Sequence, residues 1–182
     1  MRSNVIWTFF GNGCYLSCQY LMLMAMAKLG DPTIVGQYAL ALAICSPVII
    51  GSQMQLRQVQ VTDVRGEYHF GAYIGLRVIC TLLALLLIGG IAILGNYSVA
   101  MARLILLMGV AKGFESLSDA AYGRLQRSER MDVIAISLAS KGILSAVVFI
   151  GLLWGTGDLL WPMTGLTLVW GAASHWARGL AP

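Results

Sequence analysis

The sequence predicts an all-α integral membrane protein, a single lobe over residues 1–182 built as a bundle of about six transmembrane helices. Three observations carry that prediction. Hydrophobic residues make up 58% of the chain and charged residues 11%, where a soluble domain carries roughly a quarter charged. The mean hydropathy is +0.78. The apolar residues also fall in unbroken blocks of about 20, enough to cross a hydrocarbon core and too long for the roughly 10-residue alternating strands of a barrel.

The first span is expected at residues 4–28. Arg2 precedes it and Ala25, Met26 and Ala27 form an A-x-A pattern, yet its apolar stretch exceeds the core of a cleaved signal and further spans follow, so it is read as a retained helix. The breaker "GDPT" at 30–33 separates it from a second span at 34–56. A mixed-charge polar interval, "RQVQVTDVRGEYH" at 57–69, reads as a solvated connection to a third span at 70–94, which "GNYS" at 95–98 ends. The fourth span covers 99–122 and the fifth 133–154. "GTGD" at 155–158 reads as a tight turn into the shortest span, 159–176.

Basic residues orient the bundle. With the N-terminus in the cytoplasm, Arg2, Arg57, Arg65, Arg124, Arg127, Arg130 and Arg178 lie inside, and only Lys28 and Arg103 lie outside. An even number of spans returns the C-terminus to the cytoplasm. The net charge of +4 then describes a membrane face beside anionic lipid, and no nucleic-acid motif accompanies it, so no nucleic-acid partner is expected.

The fourth span carries Lys112, Glu115 and Asp119. At about 100° per residue these share an arc of roughly 60°, one face of one helix. An ion at mid-bilayer costs about 2.5–3.5 kcal/mol even on the lenient insertion scale, so that face must turn toward other helices or a water-filled cavity. Counting about 1.5 Å per residue from the cytoplasmic ends, Asp119 and Arg77 reach similar depths, as do Glu115 and Lys141. The expected pairs are Arg77 with Asp119 and Lys141 with Glu115, with Lys112 one turn from Glu115. Three bases against two acids leave one positive charge in excess, which suits an anionic guest. The alternative is that these charges neutralise one another and lock a bundle.

Asn12 and Gln19, seven apart on the first helix, share a face and suit either interhelical hydrogen bonds or a cavity wall. Gly71 with Gly75, Gly109 with Gly113 and Gly151 with Gly155 are small pairs four apart, whose default meaning in lipid is close helix packing; Pro47 also permits bending. Ser137, Ser140 and Ser145 are expected to bond their own helix, His69 and His175 to be solvated, and Trp7, Trp154, Trp161 and Trp176 to sit in an interfacial belt. Cys14, Cys18, Cys45 and Cys80 lack metal-ligand spacing and read as small apolar side chains. No nucleophile elbow, metal helix or phosphate loop is present, so neither an enzyme nor a cofactor or metal site is expected.

"KGFESLSDAAYGRLQRSERMDVIAISLASKG" at 112–142 resembles the fourth span, cytoplasmic loop and fifth span of bacterial polysaccharide biosynthesis flippases of the multidrug/oligosaccharidyl-lipid/polysaccharide exporter superfamily. "GNGCYLSCQYLMLMAMAKLGDPTIVGQYALALAICSPV" at 11–48 is similar to their first helix pair, and "FGAYIGLR" at 70–77 to the start of their third helix. The resemblance implies a transporter that moves undecaprenyl-pyrophosphate-linked oligosaccharide across the inner membrane. Such proteins have about 12 to 14 helices in two lobes around a cationic cavity and rock between inward and outward openings. Arg77, Lys112, Glu115, Asp119 and Lys141 then correspond to cavity charges. On this reading the chain covers the N-terminal lobe alone, and a second lobe or a homodimer would supply the opposite wall. Two rivals stay open. A cation-driven drug exporter of the same superfamily should carry an acid on its first helix, and residues 5–27 hold none; a non-transporting membrane protein would use its charges for assembly only.

Overall fold

The computed structural model describes residues 2–56, 58–59, 70–128 and 130–180, and those residues form six long helices and no strand. They are α1 (Arg2–Leu29), α2 (Pro32–Ser52), α3 (Phe70–Leu94), α4 (Val99–Arg127), α5 (Met131–Thr156) and α6 (Leu160–Leu180). Three segments, Pro32–Ser52, Tyr73–Leu94 and Met131–Thr156, are long and apolar enough to cross a membrane by length and composition. Most of the polar interval 57–69, including Arg57, Arg65 and His69, lies outside the described residues.

Local chemistry explains the breaks. After α1, Gly30 N donates to Met26 O and Pro32 opens α2, where its missing N–H costs nothing. Asn96 at φ 52° turns the chain out of α3, and the Ser98 hydroxyl then accepts from Met101 N to cap α4. Gly157 sits at φ 65°, the left-handed conformation that ends α5, and donates to Leu153 O. Two ends depart from the hydropathy reading. α2 stops at Ser52 because Met54 and Gln55 both take positive φ, 46° and 54°, which apolar content does not reveal. α4 runs past Tyr122 to Arg127, since polar residues such as Arg124 and Gln126 form a helix as readily as apolar ones and hydropathy does not register them.

The helices assemble as two groups. α2, α3 and α4 pack on one another, α5 packs against both α1 and α6, and the groups join mainly where α4 meets α6. α4 and α5 touch only lightly, although they are neighbours in sequence. The buried core runs through both groups, with Met22, Met26, Ile49, Ile88, Ile105, Met108, Phe149, Leu153 and Trp170.

Glycines mark the closest approaches, although not at all the expected pairs. A Cβ on Gly109 would stand 3.1 Å from Ile88 Cγ2 and one on Gly113 3.4 Å from Thr81 Cγ2, so this pair does bring α4 against α3. A Cβ on Gly71, Gly75, Gly151 or Gly155 would meet no atom within 4 Å among the described residues. The tight seam lies elsewhere: a Cβ on Gly11 would fall 2.6 Å from Ala135 Cα, and one on Gly142 3.2 Å from Tyr15 Cα. Substituting Gly11→Leu should therefore force α1 from α5 and cost about 1–3 kcal/mol, read as a lower melting midpoint of the detergent-solubilised chain. Gly13→Leu, whose Cβ meets nothing, should leave the midpoint unchanged. Equal midpoints for the two variants would refute the seam.

Candidate functional site

α3, α4 and α5 each bring ionised side chains to the interior. Arg77 of α3 is 2% exposed. Its Nε donates to Ser116 O at 3.1 Å, Nη1 to Gln53 O at 3.0 Å and Nη2 to Asp119 Oδ2 at 2.9 Å. The fork-shaped guanidinium thus ties the C-terminal carbonyl end of α2 to two turns of α4, with a cation placed where a helix dipole favours one. Thr81 and Ser116 hydroxyls lie 3.4 Å apart beside it.

Glu115 of α4 is the second centre. Lys112 Nζ donates to its Oε2 at 2.7 Å, the Tyr15 hydroxyl of α1 donates to its Oε1 at 2.5 Å, and Lys141 Nζ of α5 stands 3.7 Å from that same Oε1. Gln19 Nε2 donates to the Tyr15 hydroxyl at 3.1 Å and so belongs to the same network. One carboxylate therefore serves two ammonium groups.

Aromatic rings take up what the carboxylate leaves. Trp170 of α6, itself buried, has its ring centroid 4.4 Å from Lys141 Nζ and 5.3 Å from Lys112 Nζ, and Tyr15 has its centroid 5.5 Å from Lys141 Nζ. A ring face stabilises a desolvated ammonium by up to about 2 kcal/mol without neutralising it. Trp170 Nε1 donates to Ser145 Oγ at 2.9 Å, which fixes the ring.

A cavity of about 310 Å³ opens onto this network. Asn12, Tyr15, Glu115, Asp119, Tyr122 and Lys141 supply polar walls, and Ile134, Ala135 and Leu138 an apolar side. It lies between α1, α4 and α5, toward the end of the bundle where α1 begins, in the gap left by the light α4–α5 contact. Arg77 and Asp119 line a separate space of about 180 Å³ with Gln53, Gln55 and Gln58. Asp119 borders both.

The five charged residues singled out in the sequence thus converge, in the pairs that depth suggests, but they divide into two clusters. Asn12 lines the larger cavity while its amide Nδ2 donates to Thr8 O of its own helix. Sequence reasoning missed Tyr15 and Trp170. Trp170 stands in the middle of α6 and not at its end, a position that separates it from Trp7, Trp154, Trp161 and Trp176, all exposed. Ser140 bonds its own helix as expected, at Ile136 O, whereas Ser137 pairs with the Tyr122 hydroxyl at 2.8 Å and Ser145 accepts from Trp170. All four cysteines are free thiols, Cys18 and Cys45 are buried, and His175 is exposed. Among the described residues no group of three or more His, Cys, Asp or Glu side chains is placed to hold a metal ion.

The two partners of this ion pair should respond differently to substitution. Arg77→Ala removes a buried cation from Asp119 and from two carbonyls, and should cost about 3–5 kcal/mol of stability. Asp119→Asn leaves Arg77 its carbonyl partners on α2 and α4 and should cost about 1–3 kcal/mol. Thermal unfolding in detergent measures both, and the reverse order would rule out Arg77 as the clamp.

No protein-family model matches the chain, and no solved structure matches it. The chain is similar to the capsular polysaccharide biosynthesis protein CapF of Staphylococcus aureus, 29% identical over 150 residues that make up 82% of this chain. Those residues span 37% of the length of that relative.

Proposed function

We propose that the chain forms one lobe of a membrane flippase that moves a lipid-linked oligosaccharide of the undecaprenyl pyrophosphate type across the bacterial inner membrane, for capsule or related polysaccharide biosynthesis. The observation that carries the proposal is the Glu115 centre, where Lys112 and Lys141 share one carboxylate and Glu115 and Lys141 line a cavity. The similarity to a capsular polysaccharide biosynthesis protein supports the cargo class.

On this reading all six helices cross the bilayer, with both termini in the cytoplasm. The distribution of exposed side chains supports it: Ile6, Phe9, Phe10, Leu16 and Tyr20 on α1, Leu106 and Val110 on α4, and Leu168 on α6 face outward, while Lys112, Glu115 and Asp119 of α4 engage partners within the bundle. The polar inner face of α4 lowers its average hydropathy without exposing an ion to lipid. The cavity then opens toward the cytoplasm, where an activated lipid-linked glycan would enter, and a second lobe or second copy would close its far side.

The pyrophosphate head takes its place near Lys112 and Lys141, where the unshared positive charge lies. Each oxygen of the head competes with Glu115 for the same ammonium groups, so cargo loosens the α1–α4–α5 link as it binds. That exchange gives the cavity a reason to change shape when loaded. No chemical bond is made or broken in this scheme.

A non-transporting membrane protein is the second reading, and the Arg77 clamp favours it, because that guanidinium is engaged with backbone carbonyls and Asp119. Reconstitution into liposomes separates the two. Flipping of a fluorescent undecaprenyl-pyrophosphate oligosaccharide should occur, and should slow about 10- to 100-fold in Lys112→Ala and in Lys141→Ala, the worth of one charge-assisted hydrogen bond. If neither that lipid nor a drug cation moves, the assembly-only reading stands and transport is overturned.

A further inference from the structure

Beside the charged cavity lies a second space that the flippase reading leaves unassigned. It is an apolar groove of about 670 Å³ on the outer side of α1, with Phe9, Gly13 and Leu16 on its floor and sides. Thr8, Asn12 and Met131 line both the groove and the cavity. The two spaces therefore run side by side, one polar, with Lys141, Glu115 and Asp119 on its wall, the other hydrocarbon-lined, with a common rim.

The seam between α1 and α5 decides where they connect. Gly11 against Ala135 and Gly142 against Tyr15 bring the two backbones too close for a chain to pass between them. The open rim is at Met131, the first residue of α5, facing Thr8 near the start of α1. A flexible thioether there yields to a passing chain at little cost.

We infer that the groove holds the hydrocarbon chain of the same amphiphile whose anionic head the cavity takes, the chain leaving the cavity over Met131. The inference rests on the cationic-cavity reading above and adds to it a tail subsite on α1. Its occupant follows from continuity and charge: a polar cavity backed by a cluster of three bases and two acids, sharing a wall with an apolar groove, matches a molecule with an anionic head and a long aliphatic tail. A bulk lipid chain fits the groove equally well by shape, but its occupancy does not depend on the cavity.

Gly13 supplies the test. A Cβ there meets no atom within 4 Å, so Gly13→Leu fills the groove without disturbing the packing or touching the cavity. Gly36 of α2 is equally open and lies outside the groove, so Gly36→Leu serves as the control. Binding to the purified chain in detergent micelles is measured for inorganic pyrophosphate, a head alone, and for geranylgeranyl pyrophosphate, a head with a tail, counting what excess unlabelled pyrophosphate displaces. Geranylgeranyl pyrophosphate should bind about tenfold more tightly than pyrophosphate, and Gly13→Leu should abolish that advantage while leaving pyrophosphate binding intact. Gly36→Leu should change neither. If the two probes bind alike, or Gly13→Leu leaves the advantage in place, the groove holds bulk lipid or a second copy and the inference is overturned, with the cationic cavity left standing. If neither probe binds, the cavity reading fails and takes the inference with it.

Discussion

A carboxylate inside a helix bundle has to be matched by positive charge and hydrogen-bond donors, because an unpaired ion there costs several kcal/mol. Glu115 is matched from its own helix by Lys112, from α5 by Lys141 and from α1 by Tyr15. Between helices in lipid the hydrophobic effect supplies little attraction, so polar links of this kind and close contact of small residues decide which helices meet. Here both act on the same elements. Glycine contacts zip α1 to α5, and Glu115 ties that pair to α4, with which α5 otherwise makes little contact. The cavity is a consequence. Side chains bridge a gap that the backbones do not close.

The second centre works in the opposite sense. Arg77 donates to Gln53 O at the end of α2 and to Ser116 O in the middle of α4, so it satisfies carbonyls as well as an acid. Its planar fork suits several fixed acceptors at once, where a lysine would offer a single point of charge. The left-handed residues Met54 and Gln55 follow directly after Gln53, and the guanidinium sits at the helix end that they terminate. In the proposed scheme, where loading loosens the links around Glu115, the α2–α3–α4 group held by Arg77 is the part suited to keep its shape.

Much of this arrangement is legible in the residues. Long apolar blocks fix the helices, and turn residues such as "GTGD" fix their ends, since Gly157 is needed where φ turns positive. Helix depth alone brings Arg77 to Asp119 and Lys141 to Glu115, because an ion buried at a given height must find a partner at that height. What depth cannot give is azimuth. Nothing in the sequence says which side of α6 faces α5, so Trp170 goes unnoticed as the ring over both lysines, and Ser145 is assigned to its own helix and not to the indole. Two of the three glycine pairs fail for the same reason: spacing shows that Gly151 and Gly155 share a face, but not that the face looks outward.

The charge count acquires a location once the pairs are known. Arg77 and Asp119 face one another at 2.9 Å and cancel, which leaves Lys112 and Lys141 with Glu115 between them. The surplus positive charge of the cluster is therefore confined to the lysine side. Had a second carboxylate stood where Trp170 stands, the field would vanish. An indole face instead holds an ammonium group without supplying a counter-charge, so the potential survives and reaches the cavity that Lys141 and Glu115 line. The substitution of an aromatic ring for an acid is thus what separates a site with a net field from a neutral lock, and it is the feature that composition and spacing leave invisible.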